Sequence, residues 1–261
     1  MISKYSTFPV FEARSKKVIL WLRLFCIGLV AFAIATEILI SQTVDPGSYL
    51  EELHNQLFFA IMNSILTPLV IIRFFYGNSN ESGWLTTGGH VLYTSLFVLI
   101  IVASCYTVLN FCSWLHRVIK EQQRFSETHY SPKSATCLAL IPFLFPAFHY
   151  QIFNDLLARQ KETLEKNNLE AISLPNWILR AIPVLGILIQ VGWCIGIFGA
   201  KDLIAVRIIS IILSITLFAS YIKIIRAITA NMSTLVHWRQ STLAATRRGQ
   251  RDLRRNRTRQ Q

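Results

Sequence analysis

From Val91 to Leu115 the chain runs for 25 residues without a charged side chain, and that run excludes most folds. About 20 apolar residues in a helix cross the ~30 Å hydrocarbon core of a bilayer at about 1.5 Å per residue. Three other stretches reach a comparable length. Val18 to Ile40 is 23 residues interrupted by Arg23, Thr36 and Glu37, and Trp177 to Ala200 is 24 residues with one early Arg180. Leu203 to Ile228 holds an uncharged core from Ile208 to Ile222. Composition points the same way, with 52% apolar residues, 15% charged and a mean hydropathy of +0.42, well to the apolar side of globular usage. The expected fold class is all-α, a polytopic helical membrane bundle with four transmembrane helices.

Two further apolar segments are ambiguous. Leu57 to Tyr76 carries Asn63, Ser64, Thr67, Pro68 and Arg73 along one flank, so it either crosses or lies half sunk. Ala135 to Phe153 contains Pro142 and Pro146. Each proline removes a backbone donor, which favours a broken or re-entrant segment packed against other helices.

Basic loops favour the cytoplasmic side. The amino-terminal arm, residues 1–17, holds Lys4, Arg14, Lys16 and Lys17, and the tail from Arg239 holds eight Arg, among them Arg247, Arg248, Arg251, Arg254 and Arg255. Both ends are therefore expected inside, which requires an even number of crossings. Six would turn the stretch with Arg117, Lys120, Arg124 and Lys133 outward, whereas four keeps it inside. Four crossings are preferred. The first span reads as an uncleaved helix, because Arg23 interrupts the core of any signal peptide and the apolar run continues to Ile40. Residues 18–231 form the membrane domain and residues 232–261 an Arg-rich tail, expected to be disordered.

No chemical constellation accompanies this architecture. The five cysteines lie in or beside apolar segments without C-x-x-C spacing. Cys112 and His116 share a helical face but need further ligands to hold a metal. No metal or other cofactor is expected. An enzyme is not expected either, for want of a nucleophile and a base at a shared depth.

Packing signals are clearer. Gly192, Gly196 and Ala200 recur every four residues, and Gly28, Ala31 and Ala35 make a similar stripe; small residues let helix backbones approach closely in lipid. Glu37 and Arg207 end and begin spans on the same side, which suggests an ion pair between them. Trp114 suits the headgroup boundary, with Leu115, Val118, Ile119 and Phe125 continuing as a helix along the surface and Arg117, Lys120 and Arg124 facing anionic lipid. Asp155 to Ile172 reads as an amphipathic cytoplasmic helix with a Glu162–Lys166 pair, ended by Pro175. The tail's charges suit anionic lipid headgroups. Nucleic acid is not expected, because no aromatic residue is interleaved after Trp238.

The run Phe111-Cys-Ser-Trp114-Leu-His-Arg117, then Tyr130-Ser131-Pro132, then Ile141-Pro142 and Pro146 with Phe148 to Leu157, resembles a bacterial membrane family known as domain of unknown function 4328. Tyr221 to Thr229 is similar to the end of that family's last span, so the resemblance covers about Val91 to Asn231. His116 stands where the family usually has Tyr, and the gap between the two prolines is shorter. The resemblance implies a helical membrane protein of a bacterial inner membrane and no established activity. The expected function is a non-enzymatic scaffold or regulatory protein whose basic cytoplasmic face meets lipid and an unidentified protein partner. The alternative is a small transporter or channel lined by Asn63, Asn110 and Gln190.

Overall fold

The computed structural model describes residues 7–41, 87–140, 145–198 and 204–259. These residues form six helices and no strand: α1 (Thr7–Ser41), α2 (Thr87–Gln122), α3 (Pro132–Leu138), α4 (Phe145–Lys166), α5 (Asn176–Phe198) and α6 (Ile204–Arg259).

α1 and α2 pair antiparallel, and three contacts set their register. The Arg14 guanidinium donates to Ser113 Oγ, Trp21 stacks on Tyr106 with ring centroids 4.8 Å apart, and Gly28 faces Ile100. Every two turns of α1 thus meet two turns of α2. Val18, Leu22, Phe25 and Leu29 are buried at alternating steps of four and three, the spacing of one helical face, and Phe25 meets Phe218 of α6 edge-on at 5.4 Å. A Cβ on Gly28 would lie 3.3 Å from Ile100 Cγ1, so at this position the small stripe of α1 does meet a neighbouring helix.

α6 is the pivot of the bundle, with α1, α4 and α5 all packed on it. Its inward residues Leu217, Tyr221, Ile224, Ile228, Met232 and Leu235 recur every three or four positions and are buried. α5 carries Pro183 inside the helix, where the ring removes a hydrogen bond to the preceding turn. Close to it the backbone of Gly186 lies against the Pro146 ring of α4, where an added Cβ would come within 2.4 Å of Pro146 Cγ. α4 ends in a Schellman motif. Leu169 N–H donates to Leu164 O, Asn168 N–H donates to Glu165 O, and Asn168 takes a left-handed φ of 55°; asparagine tolerates that conformation better than most side chains.

Exposed large apolar side chains form a belt. They run from Leu20 to Ile34 on α1, where exposed Arg23 interrupts them, Val98 to Leu109 on α2, Val184 to Val191 on α5 and Ile208 to Ile215 on α6. At one end of the belt the exposed residues become Lys16 and Lys17 on α1, Arg117 and Lys120 on α2, Arg180 on α5, and Lys223 and Arg226 on α6.

Among the described residues two helices, not four, contain stretches long and apolar enough to cross a membrane: Val98–Gln122 of α2 and Ile211–Gln250 of α6. The expected spans Val18 to Ile40 and Trp177 to Ala200 have helical backbone in α1 and α5 as far as Phe198. Much of each lies outside the described side chains. So do Leu57 to Tyr76, Pro142, the Glu37–Arg207 pair and the Gly192, Gly196 and Ala200 stripe.

Three expectations are corrected. α2 continues as a helix past Trp114 to Gln122, 36 residues in all, as expected, but its apolar stripe is not on a surface. Trp114, Leu115 and Val118 are 0% exposed, so the apolar stripe faces protein rather than lipid. The second half of the proline segment and the amphipathic helix are one element, α4, which stops at Lys166 and not at Ile172. The tail is helical to Arg259, since the chain from Ile204 onward has no proline, one glycine (Gly249) and many of the best helix formers.

Gly186→Ala should force α4 and α5 apart and lower stability by about 1–3 kcal/mol, as overpacking does. Gly28→Ala, with room for a Cβ after a few tenths of an ångström of movement, should cost less. Thermal unfolding of the two variants in detergent checks the order.

Candidate functional site

The basic end of the bundle holds the polar interior. Phe111 of α2, His149 and Phe153 of α4, and Tyr221 of α6 converge, with centroid separations of 5.1 Å for Phe111–His149, 5.5 Å for His149–Tyr221 and 5.8 Å for Phe153–Tyr221. Trp114 joins through Phe111 at 5.8 Å. Such edge-on and tilted rings contribute about 0.5–1.5 kcal/mol per pair beyond their buried area.

The two imidazole nitrogens are both engaged. His149 Nε2 lies 3.2 Å from Ala139 O. A carbonyl accepts only, so Nε2 carries the proton. Nδ1 is then the acceptor of the neutral ring, and the Tyr221 hydroxyl donates to it at 2.5 Å. His149 thereby ties α4 to α6 and to the turn after α3. Burial pushes the His149 pKa down to about 4, with the Ala139 hydrogen bond opposing it.

Two side-chain amides reach across helices. Gln160 Nε2 donates to Ile228 O at 3.2 Å. Asn231 accepts from Ile172 N–H at 2.8 Å through Oδ1 and donates to Ile172 O at 3.1 Å through Nδ2. That pair of bonds holds the linker after α4 onto α6 the way a strand neighbour would. Beside it, Leu169, Ser233, Thr234, His237, Trp238 and Ser241 line an open groove of about 410 Å³. Trp114 Nε1, Gln122 Oε1 and Gln160 Oε1 are buried without a hydrogen-bond partner.

The loop between α2 and α3 is strapped to α4. His129 N–H donates to Asp155 Oδ2 at 3.1 Å and Tyr130 Oη donates to Gln151 Oε1 at 3.0 Å. Ser131 then caps α3, its Oγ accepting from Ser134 N–H at 3.1 Å, with Pro132 in the first turn; a serine cap followed by proline satisfies the first orphan donors. Of the motif residues, Trp114 and Pro146 are buried, Ser131 and Pro132 start a helix, and Arg117 is exposed. Pro146 packs against Gly186 of α5 and Trp114 against Phe111, whereas Arg117 faces outward.

The basic surface is real, and its charges differ in their surroundings. Arg124 is paired with Glu121 at 2.9 Å, and Lys166 with Glu162 at 2.8 Å as the i,i+4 spacing implies. Arg117 and Lys120 are exposed, as are Arg247 and Arg248 on α6, whereas the side chains of Arg251, Arg254 and Arg255 lie outside the described residues. Arg239 sits 5.5 Å from the Phe125 ring. Asn110, expected along a solute path, donates to Tyr106 O of its own helix at 2.7 Å, while Asn63 and Gln190 lie outside the described side chains. Among the described residues no three His, Cys, Asp or Glu side chains gather as metal ligands would.

No protein-family model, curated protein or solved structure matches the chain.

Asn231, Gln160 and the His149–Tyr221 pair escape a reading of the chain by motif. Their signal is a lone polar residue on an otherwise apolar helical face, which becomes informative only when the opposite helix is known.

Two outcomes follow from these bonds. Asn231→Ala should leave Ile172 without its partners and cost about 1–3 kcal/mol, seen as faster proteolysis within residues 167–175. His149 is neutral when folded, so the unfolded chain binds the extra proton between its ordinary pKa of 6.5 and about 4. Its contribution is fully present above 6.5 and is lost as pH falls through that window, at up to about 1.4 kcal/mol per pH unit. The melting temperature of the protein should drop between pH 6.5 and 4.5 by more than that of His149→Gln.

Proposed function

We propose that this protein is a non-enzymatic, multi-pass membrane protein of scaffold or regulatory type, with four crossings and both termini on the cytoplasmic side of a bacterial inner membrane. One observation carries the reading. The exposed apolar side chains of α1, α2, α5 and α6 form a belt that gives way, on all four helices, to exposed basic residues at the same end. Lipid covers such a belt without loss, and cytoplasmic loops carry the excess of Lys and Arg.

Three further features support a scaffold. Hydrogen bonds between elements hold the polar interior at His149, Gln160 Nε2 and Asn231, with both His149 nitrogens engaged. α4 turns its apolar face to the bundle and leaves Arg159, Glu162, Glu165 and Lys166 outward, a rigid charged surface for a protein partner. The exposed basic residues, Arg117 and Lys120 among them, suit anionic headgroups, each adding about 1 kcal/mol near a charged leaflet. The likeness of Val91 to Asn231 to the family of domain of unknown function 4328 belongs to this proposal and adds architecture without an activity.

Cysteine labelling of intact cells tests the topology. Cysteines introduced at Glu127 and Asn168, in a background without native cysteines, should react only after the membrane is permeabilised, like one placed at Arg248. Reaction of position 127 from outside would exclude four crossings with inside termini. Solute uptake by protein-loaded liposomes under a panel of gradients would instead establish a transporter.

A further inference from the structure

We propose that Arg14, Ser113 and Arg117 form a binding site for a phosphate group at the seam of α1 and α2, where the apolar belt meets the basic end. The inference deepens the membrane reading above and rests on it for the source of the phosphate. Arg14 donates to Ser113 Oγ across the seam, which leaves the serine proton and the remaining guanidinium donors for a ligand. Arg117 stands one turn beyond Ser113 on the same face of α2. Its charge reaches Arg14, whose pKa is lowered first by burial and then by that neighbour.

Two guanidinium groups that flank Ser113, one bonded to it and one a turn further along α2, suit an anion. The nearby carboxylates are already committed, Glu12 to Lys16 at 3.0 Å and Glu121 to Arg124 at 2.9 Å. Among the described residues Arg14 and Arg117 have no ion-pair partner of their own. Guanidinium forks match the geometry of phosphate oxygens, and paired arginines with a hydroxyl supply several charge-assisted donors.

The depth of the site favours a phospholipid. Seven residues along α2 from Ser113, about 10 Å into the belt, Tyr106 stacks on Trp21 and is half exposed. Past it the seam's outer edge is Leu24 and Val102, both exposed and apolar. A headgroup phosphate on the arginines would lay its acyl chains along these rings and aliphatic side chains. Free phosphate would use the arginines alone.

The test uses the full chain purified in a non-ionic detergent, with melting temperature and native mass spectrometry as readouts. Phosphatidylglycerol, phosphatidylcholine and inorganic phosphate are titrated separately. Phosphatidylglycerol should stabilise the protein and remain bound. Arg14→Gln and Arg117→Gln should each weaken that effect about tenfold, and Arg117→Lys should restore part of it. Lys161→Gln, exposed on α4 and paired with Glu165, should leave it unchanged. Saturable stabilisation by inorganic phosphate at millimolar concentration, lost in both glutamine variants, would support the site and assign it to a free anion. Lipid and phosphate responses identical in wild type and in the folded double variant would overturn it, even where the labelling supports four crossings. A chain that stays in the aqueous phase without detergent would overturn the membrane reading, and the phosphate titration of the same variants would still decide the site.

Discussion

The meeting of Phe111, His149, Phe153 and Tyr221 is the contact on which the basic half of the molecule depends. It is the point where α2, α4 and α6 touch through side chains that each need a particular neighbour. Inside lipid, helices gain nothing from the exclusion of water from one another and associate through packing and polar contacts. The rings supply the packing and the His149–Tyr221 hydrogen bond the direction. Removing the imidazole's partner would leave a buried acceptor, which is why the pair specifies one arrangement of α4 against α6 rather than a set of similar ones.

From that point the structure divides along its length. Toward the apolar end, the helices contact through aliphatic side chains and small residues such as Gly28, and buried hydroxyls such as Thr107 and Ser220 donate to carbonyls of their own helices, at 2.7 and 2.9 Å. Toward the basic end, bonds run between elements: Gln160 to Ile228, Asn231 to Ile172, His129 to Asp155. A hydroxyl on a helix is satisfied most cheaply by a carbonyl one turn back, whereas a loop has no such turn and must be held by named partners.

The basic end collects the strapped 126–131 turn, the turn after α3 that His149 holds, and the Asn231-clamped linker. With α4 between them it presents a continuous, charged and rigid face. Its carboxylates are largely in local ion pairs, which leaves a surplus of exposed Lys and Arg.

Much of this was legible from residue order alone. Long uncharged runs imply helices, because a backbone in hydrocarbon must satisfy its own hydrogen bonds, and the Glu162–Lys166 pair and the helix start at Ser131–Pro132 are local events set by spacing. What residue order could not show is which side of an apolar stripe meets protein. Trp114, Leu115 and Val118 read equally well as a lipid-facing stripe, and only the packing of other elements against α2 buries them. The same holds for the tail, whose composition suggested a disordered flank, while its continuity with the packed part of α6 carries the helix onward. Local hydrogen bonding and hydropathy are properties of the sequence; the choice among apolar partners belongs to the tertiary structure, because apolar contact has no direction until shape and polar groups such as His149 and Asn231 impose one.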